Sequence, residues 1–169
     1  MILERLVAVD GALPGHLLTE VTALYASNHA FFALSGDLPD PHDIRVEHVA
    51  KSLADELAHP DAEVLLARSR GRLVGIAVTL ARHPDPADPD PWIGLLMVDA
   101  ALHRTGVGRE LATAVEDRFR AAGRDAARLA VLENNPGALR FWTALGYLVI
   151  GHREDLALRR PCAVLRKAL

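Results

Sequence analysis

Leu95-Leu96-Met97-Val98-Asp99-Ala100-Ala101-Leu102-His103-Arg104-Thr105-Gly106-Val107-Gly108 is an apolar run that enters a short glycine-bearing turn and leaves it as a helix. Gly106 and Gly108 carry no side chain to cover the backbone N–H groups. The helix that follows aims its unpaired amides and the positive end of its dipole at the same point, so the turn is a seat for a phosphate. From Val107 the apolar positions recur at Leu111, Val115 and Phe119, close to a helical period, and Gly123 stands where such a helix would stop. The turn lacks the Lys-Ser/Thr pair of a nucleoside-triphosphate loop. It also lacks the third glycine of a dinucleotide fingerprint, which argues against ATP and NAD.

Working outward, residues 92–98, 106–122 and 127–132 read as strand, helix and strand, a right-handed crossover between parallel neighbours. A helix over 136–145 is well punctuated: Asn135 suits the N-cap, Pro136 the first helical position and Gly146 the position past the end. Strands follow over 147–151 and 162–167. Toward the N-terminus, 63–69 and 72–81 flank Arg70-Gly71 as an antiparallel hairpin. Helices are expected over 43–58 and 14–27, and a strand over 2–9. Between 28 and 42, Phe31, Phe32 and Leu34 mix with Gly36, Pro39 and Pro41, which predicts a loop with apolar contacts. The stretch 82–91, RHPDPADPDP, is expected to be a solvated connector, because its prolines bar a central strand or a helix interior. The sheet is therefore mixed, the class is α/β (α+β), and 1–169 reads as a single domain.

Composition narrows the function. The chain has 169 residues, half of them hydrophobic and 24% charged, enough for one core that removes roughly 70% of the unfolded surface from water. A net charge of −3 gives no global attraction for nucleic acid or an acidic membrane, so neither is expected as a partner. Cys162 is the only cysteine and no apolar run reaches membrane length, so a cytoplasmic location is the expectation. The eight histidines show no metal-ligand spacing, and no metal is expected. No serine sits in a nucleophile-elbow context, and Cys162 lies in an apolar strand, so covalent catalysis is not expected.

Two segments together resemble the GNAT superfamily of acetyl-CoA-dependent N-acetyltransferases. His103-Arg104-Thr105-Gly106-Val107-Gly108 is similar to the family's Q/R-x-x-G-x-G/A signature after the fourth strand. Asn135-Pro136-Gly137-Ala138-Leu139-Arg140-Phe141-Trp142-Thr143-Ala144-Leu145-Gly146-Tyr147 resembles its N-x-x-A-x-x-x-Y-x-x-x-G-F/Y motif. The resemblance implies a three-layer fold, a mostly antiparallel twisted sheet with helices on both faces and a central parallel pair that diverges to hold coenzyme A. It implies that backbone amides over His103, Arg104, Thr105, Gly106, Val107, Gly108 and Arg109 bind the pyrophosphate. Met97 and Val98 would pair with the pantetheine, and Asn135, Ala138 and Trp142 would lie across the gap. His103 stands where the family has Gln or Arg. Trp142 stands where many members have the Tyr that protonates the departing thiolate, and an indole has no proton to give at neutral pH. Tyr147 aligns with a packing aromatic.

Acetyl transfer needs a neutral amine, yet an alkylamine with a pKa near 10.4 is unprotonated in only roughly four molecules per ten thousand at pH 7. Glu133 and Asp99, at the ends of the two central strands, are the candidates to take the proton, directly or through water. The Val98 N–H is the candidate donor to the developing oxyanion. Tyr25, Phe31 and Phe32 are candidates to line the acceptor pocket. The leading expectation is transfer of acetyl from acetyl-CoA to a primary amine of a small molecule or peptide in a ternary complex. The alternative is a non-catalytic acyl-CoA-binding module. The apolar end 162–169 could pair two copies as a homodimer or complete the sheet of one.

Overall fold

The computed structural model describes residues 1–9, 12–155 and 157–169. Seven strands form one sheet in the order β1-β2-β3-β4-β5-β7-β6: β1 Ile2–Arg5, β2 Ala62–Ser69, β3 Arg72–Leu80, β4 Trp92–Val98, β5 Ala126–Leu132, β6 Leu148–Glu154 and β7 Pro161–Ala168. Every neighbouring pair is antiparallel except β4 and β5.

The central strands are apolar on both sides because both faces of the sheet are covered. On one face, helices α4 (Val107–Ala121) and α5 (Pro136–Ala144) bury Leu111, Val115, Phe119 and Trp142 against Leu65, Ala77, Ile93 and Leu129. On the other, α1 (Gly15–Ser27), α2 (His29–Ser35) and α3 (Val46–Leu57) bury Val21, Leu24, Val49 and Leu53 against Val64, Leu66, Ile76 and Val78. Along β2, Val64 and Leu66 serve one layer while Leu65 and Ala67 serve the other. The α4 layer comes unusually close to the sheet at Gly75. A Cβ there would stand 2.8 Å from the Met97 carbonyl oxygen and 3.0 Å from Leu111 Cδ2, so only glycine fits between β4 and α4.

Three expectations are corrected. The stretch after Asn28 forms the short helix α2, whose Phe32 is buried against Tyr25 at a ring separation of 5.0 Å; this burial stabilises a helix too short to persist alone. The first strand stops at Arg5 rather than residue 9, and Val7 and Val9 are exposed beyond it. The connector 82–91 is anchored, not merely solvated. Asp88 accepts from the Trp92 indole at 2.9 Å, and Asp90 accepts from Arg128 and Arg166, each at 2.8 Å, so the loop is tied to β4, β5 and β7. The terminal strand β7 lies between β5 and β6 and completes this chain's own sheet. Among the described residues, no helix is long and apolar enough to cross a membrane.

Candidate active site

The parallel pairing of β4 with β5 is confined to Trp92 opposite Arg128 and Ile93 opposite Leu129. Just beyond it, the β3–β4 register jumps from Thr79–Ile93 to Val78–Leu95, leaving Gly94 as a bulge. Bulges bend a strand and increase its twist. From that point β4 runs to Val98 and β5 to Leu132 without pairing, and a gap opens between them.

Backbone alternation tells which groups line the gap. In an antiparallel ladder, successive residues turn their N–H and C=O alternately toward and away from the partner strand. The Asp99 N–H donates to Val74 O at 3.0 Å and Met97 stands opposite Ile76, so both are turned toward β3. Leu96 and Val98 face the gap. The Met97 side chain is buried with α1, α2 and α3. The Val98 carbonyl accepts from Asn28 Nδ2 at 3.0 Å and pairs with His103 Nε2 at 3.1 Å. For the second bond, the exposed His103 must carry its proton on Nε2.

At the far end of β4, Asp99 caps a single 3₁₀ turn, Ala100–Leu102, by accepting from Ala101 N–H at 3.0 Å. The chain then turns through Arg104 at φ +65° and Gly106 at φ +94°. Gly106 is required here, because an L side chain is strained at that angle. Thr105 Oγ1 closes the turn by donating to Leu102 O at 2.6 Å. The first bond within α4 runs from Glu110 N–H to Gly106 O at 3.0 Å. The N–H groups of Val107, Gly108 and Arg109 lie ahead of it and have no helical partner. Arg104 and Arg109 are exposed beside them. The arrangement is a cluster of aligned donors at a positive helix end, which suits a phosphate group.

Across the gap, Asn135 Oδ1 accepts from Ala138 N–H at 3.0 Å, so that side chain starts α5. The Phe141 ring lies over Gly108, where a Cβ would come within 3.3 Å of it, and so joins α5 to the first turn of α4. Trp142 is only 7% exposed, edge-on to both Phe141 and Tyr147. Its indole belongs to the core under α5. Tyr147 is fully buried, and burial first, then the Glu116 carboxylate, pushes its pKa far up, so it is no proton donor.

The other candidates separate by environment. Asp99 has both carboxylate oxygens committed, one to the 3₁₀ turn and the other to Arg72. Glu133 is half exposed at the end of β5, with Oε1 3.2 Å from His152 Nδ1. Tyr25 and Phe32 are 2% and 4% exposed and belong to the core beneath α1 and α3. Phe31 alone of the three presents surface. On the same face, a cavity of about 400 Å³ is lined by Glu56, His59, Thr79, His83, Trp92 and Gly94, and so reaches the bulge where the gap begins. Partial burial, reinforced by Asp37 and Asp55, raises the Glu56 pKa. Burial lowers that of His83, which stacks on Trp92 at 4.9 Å.

Sequence reasoning missed the residues that tie α1 and α2 to this site. Asn28 reaches β4, Asn134 Nδ2 donates to Leu34 O at 3.1 Å, and Arg160 donates to Ser35 O and to Asp37 Oδ1. The one available signal was an Asn just past the end of the helix expected over 14–27.

A protein-family model described as the acetyltransferase (GNAT) family matches residues 24–147. The chain belongs to the GNAT family of acetyltransferases. Among solved structures, an acetyltransferase from Thermus thermophilus superposes with a TM-score of 0.72 at 18% identity, over 100% of this chain and 98% of that one. A GNAT family acetyltransferase from Elizabethkingia anophelis, with acetyl-CoA bound, gives 0.59 at 15% identity over 70% and 82%. The ribosomal-protein-S18-alanine N-acetyltransferase from Escherichia coli gives 0.62 at 15% identity over 99% and 94%. At such identities the likeness is one of fold. A search of curated proteins gives no match to this chain. The seven-stranded sheet with its diverging parallel pair is thus the GNAT architecture, and GNAT relatives hold acetyl-CoA.

Proposed function

We propose that this chain is an N-acetyltransferase that moves an acetyl group from acetyl-CoA to a primary amine of a small molecule or peptide by direct attack in a ternary complex. The observation that carries the reading is the gap between β4 and β5, which ends at the unpaired N–H groups of Val107, Gly108 and Arg109.

The chain's own groups fit such a co-substrate. Free amides at the start of α4, with Arg104, Thr105 and Arg109 beside them, hold a pyrophosphate, and the open edges of β4 and β5 offer backbone partners to an amide-bearing arm. Bound there, acetyl-CoA supplies an activated thioester. The Val98 N–H, turned into the gap, stabilises negative charge on the thioester oxygen. Glu133, whose carboxylate is not locked into a cap, takes the proton of the ammonium through water. The C–N bond forms as the C–S bond breaks, the nitrogen then releases its second proton to solvent, and the thiolate takes a proton from solvent, since Trp142 is buried and cannot donate one. The acceptor enters from the face carrying the Glu56 and Trp92 cavity. Release of CoA thiol from acetyl-CoA in the presence of an amine panel tests the reading.

The burial of Trp142 at the usual acid position favours one second reading, a non-catalytic acyl-CoA-binding module. Binding of acetyl-CoA without thiol release by any amine would decide for it.

A further inference from the structure

Asn28 separates two helices and spends its side chain elsewhere. At φ −104° and ψ 30° it ends α1 and precedes α2, a place where Asn ordinarily caps the second helix by accepting from its amides. Asn28 makes no such cap. Its amide nitrogen lies 3.0 Å from Leu24 O, from Ser27 Oγ and from Val98 O, and the residue is 7% exposed. Ser27 Oγ in turn accepts from Ala100 N–H at 3.1 Å. Two consecutive residues of α1 and its junction therefore grip the end of β4 and the start of the 3₁₀ turn, on either side of Asp99.

The grip falls on the gap side of β4. A strand carbonyl turned away from one neighbour is free to accept from whatever lies on its other side. Here Asn28 and His103 saturate both lone pairs of the Val98 carbonyl, so this one carbonyl is held and unavailable to any partner in the gap. The peptide before Val98 is meanwhile fixed by β3, through Met97 opposite Ile76. With one peptide held from each side, Val98 keeps its N–H pointing into the gap. His103 belongs to the phosphate turn, so the same carbonyl also links that turn to the strand.

Resting on the acetyl-transfer reading above, we propose that Asn28 is a positioning residue, whose amide holds the Val98 carbonyl so that the Val98 N–H is aimed at the thioester oxygen.

The test uses Asn28→Asp, which fills the same space without the donor, and Asn28→Ala, compared with Leu53→Ala, which loosens the core under α3 away from the gap. In the unliganded protein, both Asn28 variants should shift the Val98 carbonyl carbon resonance upfield, and Leu53→Ala should not. Well below the melting temperature, kcat should fall about tenfold or more in the Asn28 variants, with KM for acetyl-CoA within about threefold of the parent. Leu53→Ala should retain kcat even if its Tm drops as far. If Asn28→Ala does not fold, Asn28→Asp carries the test, with His103→Ala removing the second donor to the same carbonyl. An unmoved Val98 resonance, or parental kcat in a folded Asn28 variant, overturns the proposal. A parent protein that binds acetyl-CoA and acetylates no amine overturns the acetyl-transfer reading and this proposal with it.

Discussion

The Trp142 indole meets the Tyr147 ring edge-on, with 5.1 Å between centroids and 72° between planes. This pair fills the space under α5 with two aromatic side chains that are almost wholly buried. Trp142→Ala should therefore cost about 3–5 kcal/mol of stability, read from urea unfolding. Trp142→Phe should keep kcat within about threefold, because a group with no proton to give at neutral pH cannot be the acid. A loss of a hundredfold with parental stability would contradict this.

Asp99 and Glu133 looked alike in the sequence, and the structure gives them different surroundings. Asp99→Ala should lower stability by about 0.5–2 kcal/mol, as expected for loss of a cap, and leave kcat nearly intact. Glu133→Gln should do the reverse, lowering kcat about tenfold or more at pH 7 with little change in urea midpoint. Steady-state thiol release and unfolding of the two variants would expose an exchange of roles.

Asp155 stabilises the β6–β7 connection in a pH-dependent way. The Arg160 guanidinium first, then the N–H groups of Leu158 and Arg160, hold its pKa at about 2, below the unfolded value near 3.9. Because the folded value is depressed, the contribution is fully present above about pH 4 and is lost as pH falls through about 2. Asp155→Asn should be less stable than the parent at pH 6, and the difference should shrink by pH 2.5. Parallel stability curves for the two proteins would refute the assignment.

Arg160 also reaches across from that connection to Ser35 O and, at 2.8 Å, to Asp37. Removing it in Arg160→Ala should free the end of α2. Hydrogen exchange over 29–37 should quicken by about tenfold, and exchange in β2 and β3 should not change. Unaltered exchange in α2 would show that the tether is incidental.

The elements with strong periodicity or punctuation were legible in the sequence alone. α4 shows its apolar face through Leu111, Val115 and Phe119, and α5 is bracketed by Asn135, Pro136 and Gly146. α2 was not legible, because a helix ending at Ser35 holds too few residues to show a period, and the nearby Gly36, Pro39 and Pro41 read as a loop. The anchoring of 82–91 was hidden for a different reason. Prolines reveal what a segment cannot be, while the arginines that hold Asp88 and Asp90 lie in β5 and β7, distant in sequence. The turn ahead of α4 was visible as glycine spacing, and the contact at Val98 was not, since it joins Asn28 to a carbonyl 70 residues away. The same long-range packing buries Tyr25 and Phe32 in the core.

Calorimetric titration with acetyl-CoA, alongside ATP and NAD, tests the central claim most directly when run on the parent protein and on Gly106→Glu. The variant puts a carboxylate and a strained backbone at the turn where φ is +94°. Selective binding of acetyl-CoA by the parent, weakened about a hundredfold or more in the folded variant, is the predicted result. A folded parent that does not bind acetyl-CoA, or a variant that binds it equally well, would contradict the account.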